Sequence, residues 1–229
     1  LIKISASLIK DYLACSKRAF YRIYEPQESI PTPYMAIGSV IHSALDKYWN
    51  DRDSAFNYVK KEIALLNLPP DVKITNVNLS LKNFYNHFSI LLSNKDLVEK
   101  YFKIQYEKGV YLVGKFDRIS NEKIFDWKTG FKVPNSIDSD IQFIFYYISY
   151  KRLYNKEPKG VYYVALPKGQ MVKFTPRYEY LNHFENVLLP LVIKDIKEKR
   201  FAKEGLFTEA CASCQFHSVC YKELWQDGT

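Results

Sequence analysis

The chain has 229 residues, with 33 Lys and Arg against 25 Asp and Glu, giving a net charge of +8 and a pI near 9.1. Hydrophobic residues at 47% and charged residues at 25% exclude a disordered chain, a collagen-like repeat and a coiled coil. The length suits one large domain whose core needs no covalent staples. Aromatics are abundant, with 19 Tyr, 15 Phe and 3 Trp. Basic charge with many rings permits nucleic-acid binding, although an AT-rich coding sequence gives the same composition. Four cysteines are too few for a secreted disulfide scaffold. Lys3, Lys10 and Asp11 interrupt the first apolar stretch, which predicts no signal peptide. The uncharged run 141–150 is too short to span a bilayer. A cytoplasmic protein with no membrane partner is therefore expected. The chain starts at Leu1 rather than Met, as a trimmed chain or a piece of a longer one would.

In chain order, Ser5 and Ser7 can cap a short helix carrying Leu8, Ile9, Tyr12 and Leu13. A basic aromatic stretch follows Cys15, and 27–33 reads as a loop. Residues 35–49 predict a helix with Ile37, Ile41, Leu45 and Tyr48 on one side and His42 in its middle. Residues 53–65 and 77–93 predict two more, separated by a loop with Pro69 and Pro70. The period then changes, and 101–107, 110–119 and 123–128 read as strands, the last two joined by a turn at 120–122. A helix over 139–154 precedes a hairpin of 160–166 and 170–175. A long helix is expected over 177–200, bent at Pro190. The expected class is α/β: a mixed sheet flanked by helices, with a helical elaboration over 1–95, a core over 96–200 and a cysteine-bearing tail over 201–229. There is no G-x-G-x-x-G or G-K-[ST] phosphate loop.

Two adjacent strands carry the candidate chemistry. The first ends Gly114-Lys115-Phe116-Asp117-Arg118-Ile119, and the second reads Ile124-Phe125-Asp126-Trp127-Lys128. Residues two apart on a strand share a face, about 6.6 Å apart. Asp126 and Lys128 therefore point one way and Phe125 and Trp127 the other, while the turn brings Asp117 beside Asp126. Two carboxylates repel unless a cation lies between them, and such oxygen ligands suit Mg²⁺ or Mn²⁺. A nearby Lys can activate water or stabilise charge on phosphorus. An exposed hairpin with an ordinary Asp–Lys pair is the plain alternative. Against it, a strand apolar on both sides is normally buried, and charges there need partners.

These residues resemble the PD-(D/E)xK nuclease superfamily in its RecB-like exonuclease branch. The resemblance implies a single nuclease domain over 1–229 with a restriction-endonuclease-like fold. It makes Asp117 and Asp126 metal ligands, the Trp127 backbone carbonyl a further ligand and Lys128 the catalytic lysine. Phe116 stands where the superfamily's name has proline. Gly38-Ser39-Val40-Ile41-His42 resembles the branch's G-x-x-x-H helix, whose histidine is a metal ligand. Gln142 to Tyr146 matches its Q-x-x-x-Y motif, which orients the site and contacts substrate. The implied activity is a Mg²⁺- or Mn²⁺-dependent DNA exonuclease, favouring single-stranded DNA. Lys and Arg of the flanking helices would track the strand, and exposed rings such as Tyr21 or Tyr146 would stack bases. A nuclease specialised for CRISPR spacer acquisition, with adaptation or recombination partners, is one alternative. A non-catalytic DNA-end-binding module is another.

Cys211, Cys214 and Cys220 form C-x₂-C-x₅-C, which reads as a metal site, and Cys15 lies 211 − 15 = 196 positions upstream. One early and three late cysteines also resemble the RecB-like nucleases that hold a 4Fe-4S cluster, including AddB-type domains and CRISPR-associated exonucleases. Such a cluster would tie the two ends together, worth about 5 kcal/mol by a chain-entropy argument. Zinc on the same thiols, or on three of them with His217, is the alternative.

Overall fold

The computed structural model describes residues 1–26, 31–69, 72, 74–212 and 214–226. Of the loops expected from the sequence, residues 27–30 and Pro70 lie outside the described residues.

The chain opens with a short strand that the sequence did not signal, β1 (Ile2–Ile4). Ser5 caps α1 (Ala6–Ala14), its hydroxyl accepting from the Leu8 amide at 3.2 Å. The basic aromatic stretch is a second helix, α2 (Ser16–Tyr24). Thr32 caps α3 (Pro33–Tyr48), where Pro33 sits in the first turn and loses no helical hydrogen bond. Asp51 caps α4 (Arg52–Ala64). In place of one helix over 77–93 there is α5 (Thr75–Asn83), then a π turn at Phe84–Phe88 and a 3₁₀ turn at Ser89–Leu91.

Then come β2 (Leu97–Glu107), β3 (Val110–Ser120) and β4 (Lys123–Lys128). The β3–β4 turn is Asn121-Glu122, with φ of 48° at Asn121 and 65° at Glu122, both left-handed, as a tight two-residue hairpin requires. Asp140 caps α6 (Ile141–Tyr154). Strands β5 (Gly160–Ala165) and β6 (Gln170–Lys173) flank a 3₁₀ turn at Leu166–Lys168. The expected long helix is broken into α7 (Tyr178–His183) and α8 (Leu189–Glu198) by a π turn at Phe184–Leu188, just before Pro190. Proline lacks the amide a continuous ladder needs, so the irregularity spreads over the preceding turn rather than forming a bend at Pro190 alone. The tail ends in α9 (His217–Gln226).

The sheet is mixed, in the order β1-β3-β4-β5-β6 with β2 also on β3. β1 runs parallel to β3, β3 antiparallel to β4, β4 parallel to β5, and β5 antiparallel to β6. The parallel β4–β5 pair is bridged by α6, the expected crossover for such a pair.

Two compact units divide the chain. One comprises Leu1–Ile30, Gln105–Val113 and Tyr178–Thr229, and the other Pro31–Ile104 and Gly114–Arg177. In the second unit, Phe125 and Trp127 of β4 enter a core with Ile37, Ile41, Leu45, Val59, Leu81 and Phe84. Their rings stack at 5.6 Å, and Phe84 meets Trp127 edge-on. α6 is buried on every side from Phe143 to Tyr150. That leaves the alternate side of β4, carrying Asp126 and Lys128, to face α6.

Candidate active site

The β3–β4 register pairs Arg118 with Phe125, and its next step brings Asp117 level with Asp126. Asp117 is fixed by a hydrogen bond from the Trp127 amide to its Oδ2 at 2.9 Å. Asp126 is 1% exposed and Asp117 8%. Lys128 reaches back along its own strand, its Nζ 2.7 Å from Asp126 Oδ2. From α6, Gln142 Nε2 donates to Asp126 Oδ1 at 2.7 Å, and the Tyr146 hydroxyl donates to the same oxygen at 3.3 Å. Gln142 Oε1 also accepts from Lys128 Nζ at 3.4 Å. One glutamine side chain thus holds both a carboxylate and an ammonium, and the i, i+4 spacing puts Tyr146 beside it.

α3 supplies the histidine. Gly38 lets the helix approach β4's end, since a Cβ there would lie 3.2 Å from Thr129 Oγ1. One turn on, His42 Nε2 lies 3.0 Å from the Trp127 carbonyl oxygen, and its Nδ1 lies 3.6 Å from Asp117 Oδ2.

Burial raises Asp126 to about 6; Lys128 opposes that rise and Asp117 adds to it. Burial would lower Lys128, but Asp126 and Asp117 outweigh it and hold the ammonium above its ordinary value. Burial, then the charge of Asp126, pushes Tyr146 well above the usual phenol range, so it stays a donor.

Two further acids join the pocket. His42, Glu99 and Asp117 each offer a ligand atom within 4.8 Å of the others. Glu99 lies at φ 47° within β2, a local break that turns its carboxylate toward the site, where Lys115 pairs with it. The expected strand began at Tyr101, so no alternation reached Glu99. Asp46 follows His42 by one helical turn and lines the same pocket. Its Oδ1 is buried without a hydrogen-bond partner, and burial and then Asp117 raise it to about 6. The i, i+4 relation to His42 was visible in the sequence.

The donor set fits a hard divalent ion: imidazole, carboxylates and a backbone carbonyl. His42 Nε2 and the Trp127 carbonyl oxygen lie at hydrogen-bond distance, 3.0 Å, and both atoms are of the kind such an ion takes.

The ring assignments are corrected. Tyr21 is 1% exposed and stacks on Phe216 at 5.3 Å, and Tyr146 is 7% exposed in the core. Neither offers a free face to a base.

In the first unit, Cys15, Cys211, Cys214 and Cys220 line one cavity, together with Lys17, Arg18, Lys203 and His217. The Cys214 amide bonds to the Cys211 carbonyl at 3.1 Å and the His217 amide to that of Cys214 at 3.0 Å. Among the described residues, no three thiols come within 4.8 Å of one another.

No helix among the described residues is long and apolar enough to cross a membrane. A family model described as the PD-(D/E)XK nuclease superfamily matches residues 3–221, nearly the whole chain. Compared with the curated proteins, the chain finds no match.

Proposed function

The chain belongs to the PD-(D/E)XK nuclease superfamily, and from that premise we propose that it is a Mg²⁺- or Mn²⁺-dependent exonuclease acting on single-stranded DNA. The observation that carries this reading is the convergence of His42, Asp117, Asp126 and Lys128 in one pocket, with Gln142 and Tyr146 holding Asp126. His42, Asp117, Asp126 and the Trp127 carbonyl would hold the ion, with Glu99 beside them. When bound, the ion supplies charge neutralisation at the phosphate and a water of lowered pKa. Lys128 orients water against the phosphodiester and offers its positive charge to the oxygens as negative charge grows on them. Gln142 keeps that ammonium and the Asp126 carboxylate in register, and Tyr146 remains a hydrogen-bond donor to Asp126. Trp127 and Phe125 close the opposite side of β4 to water.

Incubating end-labelled single-stranded DNA with Mn²⁺ tests the reading. Cleavage is expected, abolished by EDTA and reduced at least about a hundredfold in Lys128→Ala and Asp117→Ala. Cleavage that survives EDTA, or that is undiminished in both variants, refutes it.

The cysteine cavity supports a structural 4Fe-4S cluster in the same protein. Four thiols around one cavity can hold either a cluster or zinc. Tetrahedral zinc with bonds of about 2.3 Å needs sulfurs about 3.8 Å apart. Among the described residues no three thiols lie within 4.8 Å of one another, a looser arrangement than that zinc spacing. A brown protein containing iron after anaerobic purification is expected, and stoichiometric zinc without iron would exclude the cluster.

A further inference from the structure

Next to Gly130, which lines the pocket, stands an aromatic ring that the site chemistry does not use. Phe131 stands three positions after Lys128 and is 45% exposed. The Lys168 ammonium lies 5.2 Å from its ring centroid. Both segments are anchored. The Tyr163 hydroxyl on β5 donates to the Lys132 carbonyl at 2.5 Å, fixing the backbone next to Phe131. Asn83 Nδ2 donates to the Leu166 carbonyl at 2.9 Å, fixing the turn that carries Lys168. Gly130, adjacent to Phe131, lines the acidic pocket itself. A solvated phenyl ring is unfavourable in itself, while a ring already held in place loses little freedom when something stacks on it.

We propose that Phe131 and Lys168 form a nucleotide-gripping lip. The base of an unpaired DNA nucleotide stacks on the exposed side of Phe131, and Lys168 takes the phosphate next to it, which seats a neighbouring phosphodiester at Lys128. This rests on the nuclease reading and names its substrate class. A base inside a duplex has both faces covered by its neighbours, so the ring can be used only by a single strand or a frayed end. The charge is complementary, because Lys128 lines the pocket, Lys132 follows Phe131 in the chain and Lys168 lies over its ring, while Asp117 and Asp126 are buried. Phenyl–base stacking is tolerant of sequence.

The test is steady-state cleavage, with Mn²⁺, of single-stranded oligonucleotides bearing one abasic residue walked along the strand. The wild-type protein should show a raised KM, with kcat little changed, when the abasic residue occupies one particular position. Phe131→Ala should raise KM about tenfold on the intact strand and abolish that positional penalty. Phe131→Trp should restore both, and Lys168→Ala should lower the slope of log KM against log salt by about one. If wild-type cleavage is indifferent to every abasic position, or Phe131→Ala keeps the wild-type KM and penalty, the lip is overturned while the nuclease reading stands. If the wild-type protein shows no metal-dependent cleavage, the nuclease reading falls and the lip with it.

Discussion

At the residue scale, Asp126 is held in tension between burial and charge. It is 1% exposed, yet its partners are an ammonium, an amide and a phenol, all donors. Burial raises it to about 6 from an ordinary 3.8. Between these values the folded protein binds a proton that the unfolded chain does not. Without metal, the contribution of this group to stability therefore falls as pH rises through that window, because a buried carboxylate must ionise. A divalent ion requires the ionised form and relieves that cost. Mn²⁺ should thus raise Tm by more at neutral pH than at about pH 5, where the proton competes. Equal shifts at both would show that Asp126 does not take part in binding. Gln142→Leu should weaken Mn²⁺ binding about ten- to a hundredfold, since it removes the amide donor from Asp126 and the acceptor from Lys128. The residues that meet here were legible where spacing is short: the period-2 pair of Asp126 and Lys128, and the i, i+4 pair of Gln142 and Tyr146. Glu99 was not legible, because a backbone break at φ 47° aims it and no alternation encodes such a break.

At the scale of elements, the β2–β3 hairpin has a constraint the sequence hides. A Cβ on Gly114 would lie 2.6 Å from the Phe102 ring. That ring cannot easily swing aside, since Phe116 lies 4.6 Å and Phe145 6.1 Å from it. Gly114→Ala should therefore destabilise the fold by about 1–3 kcal/mol, read from the denaturation midpoint. The double variant Gly114→Ala with Phe102→Leu should recover part of the loss, and no recovery would place the strain elsewhere. The β3–β4 strands and their turn were legible from alternation and from Asn121-Glu122. β1 was not, because three residues are too few to show a period and its pairing to Val110, Tyr111 and Leu112 is remote in sequence. The two π turns also escaped, since each lies within a pattern of apolar residues that a regular helix would share.

At the scale of the molecule, the cysteines and the candidate active site belong to different units. The first unit is assembled from three separate segments, 1–30, 105–113 and 178–229. Bringing its ends together costs chain entropy. Hydrogen bonds between its first and last segments offset part of that cost: Ser16 Oγ bonds to Glu204 and to the Ala202 carbonyl, and the Tyr12 hydroxyl bonds to Asp195. Gly205 approaches Cys15 so closely that a Cβ would lie 3.3 Å from the sulfur. A group bound by all four thiols would add a closure worth about 5 kcal/mol as an upper figure. Cys214→Ser should then lower hydrogen-exchange protection in α1, α2 and α8, while α3, α4 and β4 keep theirs. Loss of equal size in all six elements would mean that the two units unfold together. Unchanged protection in α1, α2 and α8 would exclude a structural role for the cysteine site, because the closure it supplies would then contribute nothing to the unit it joins.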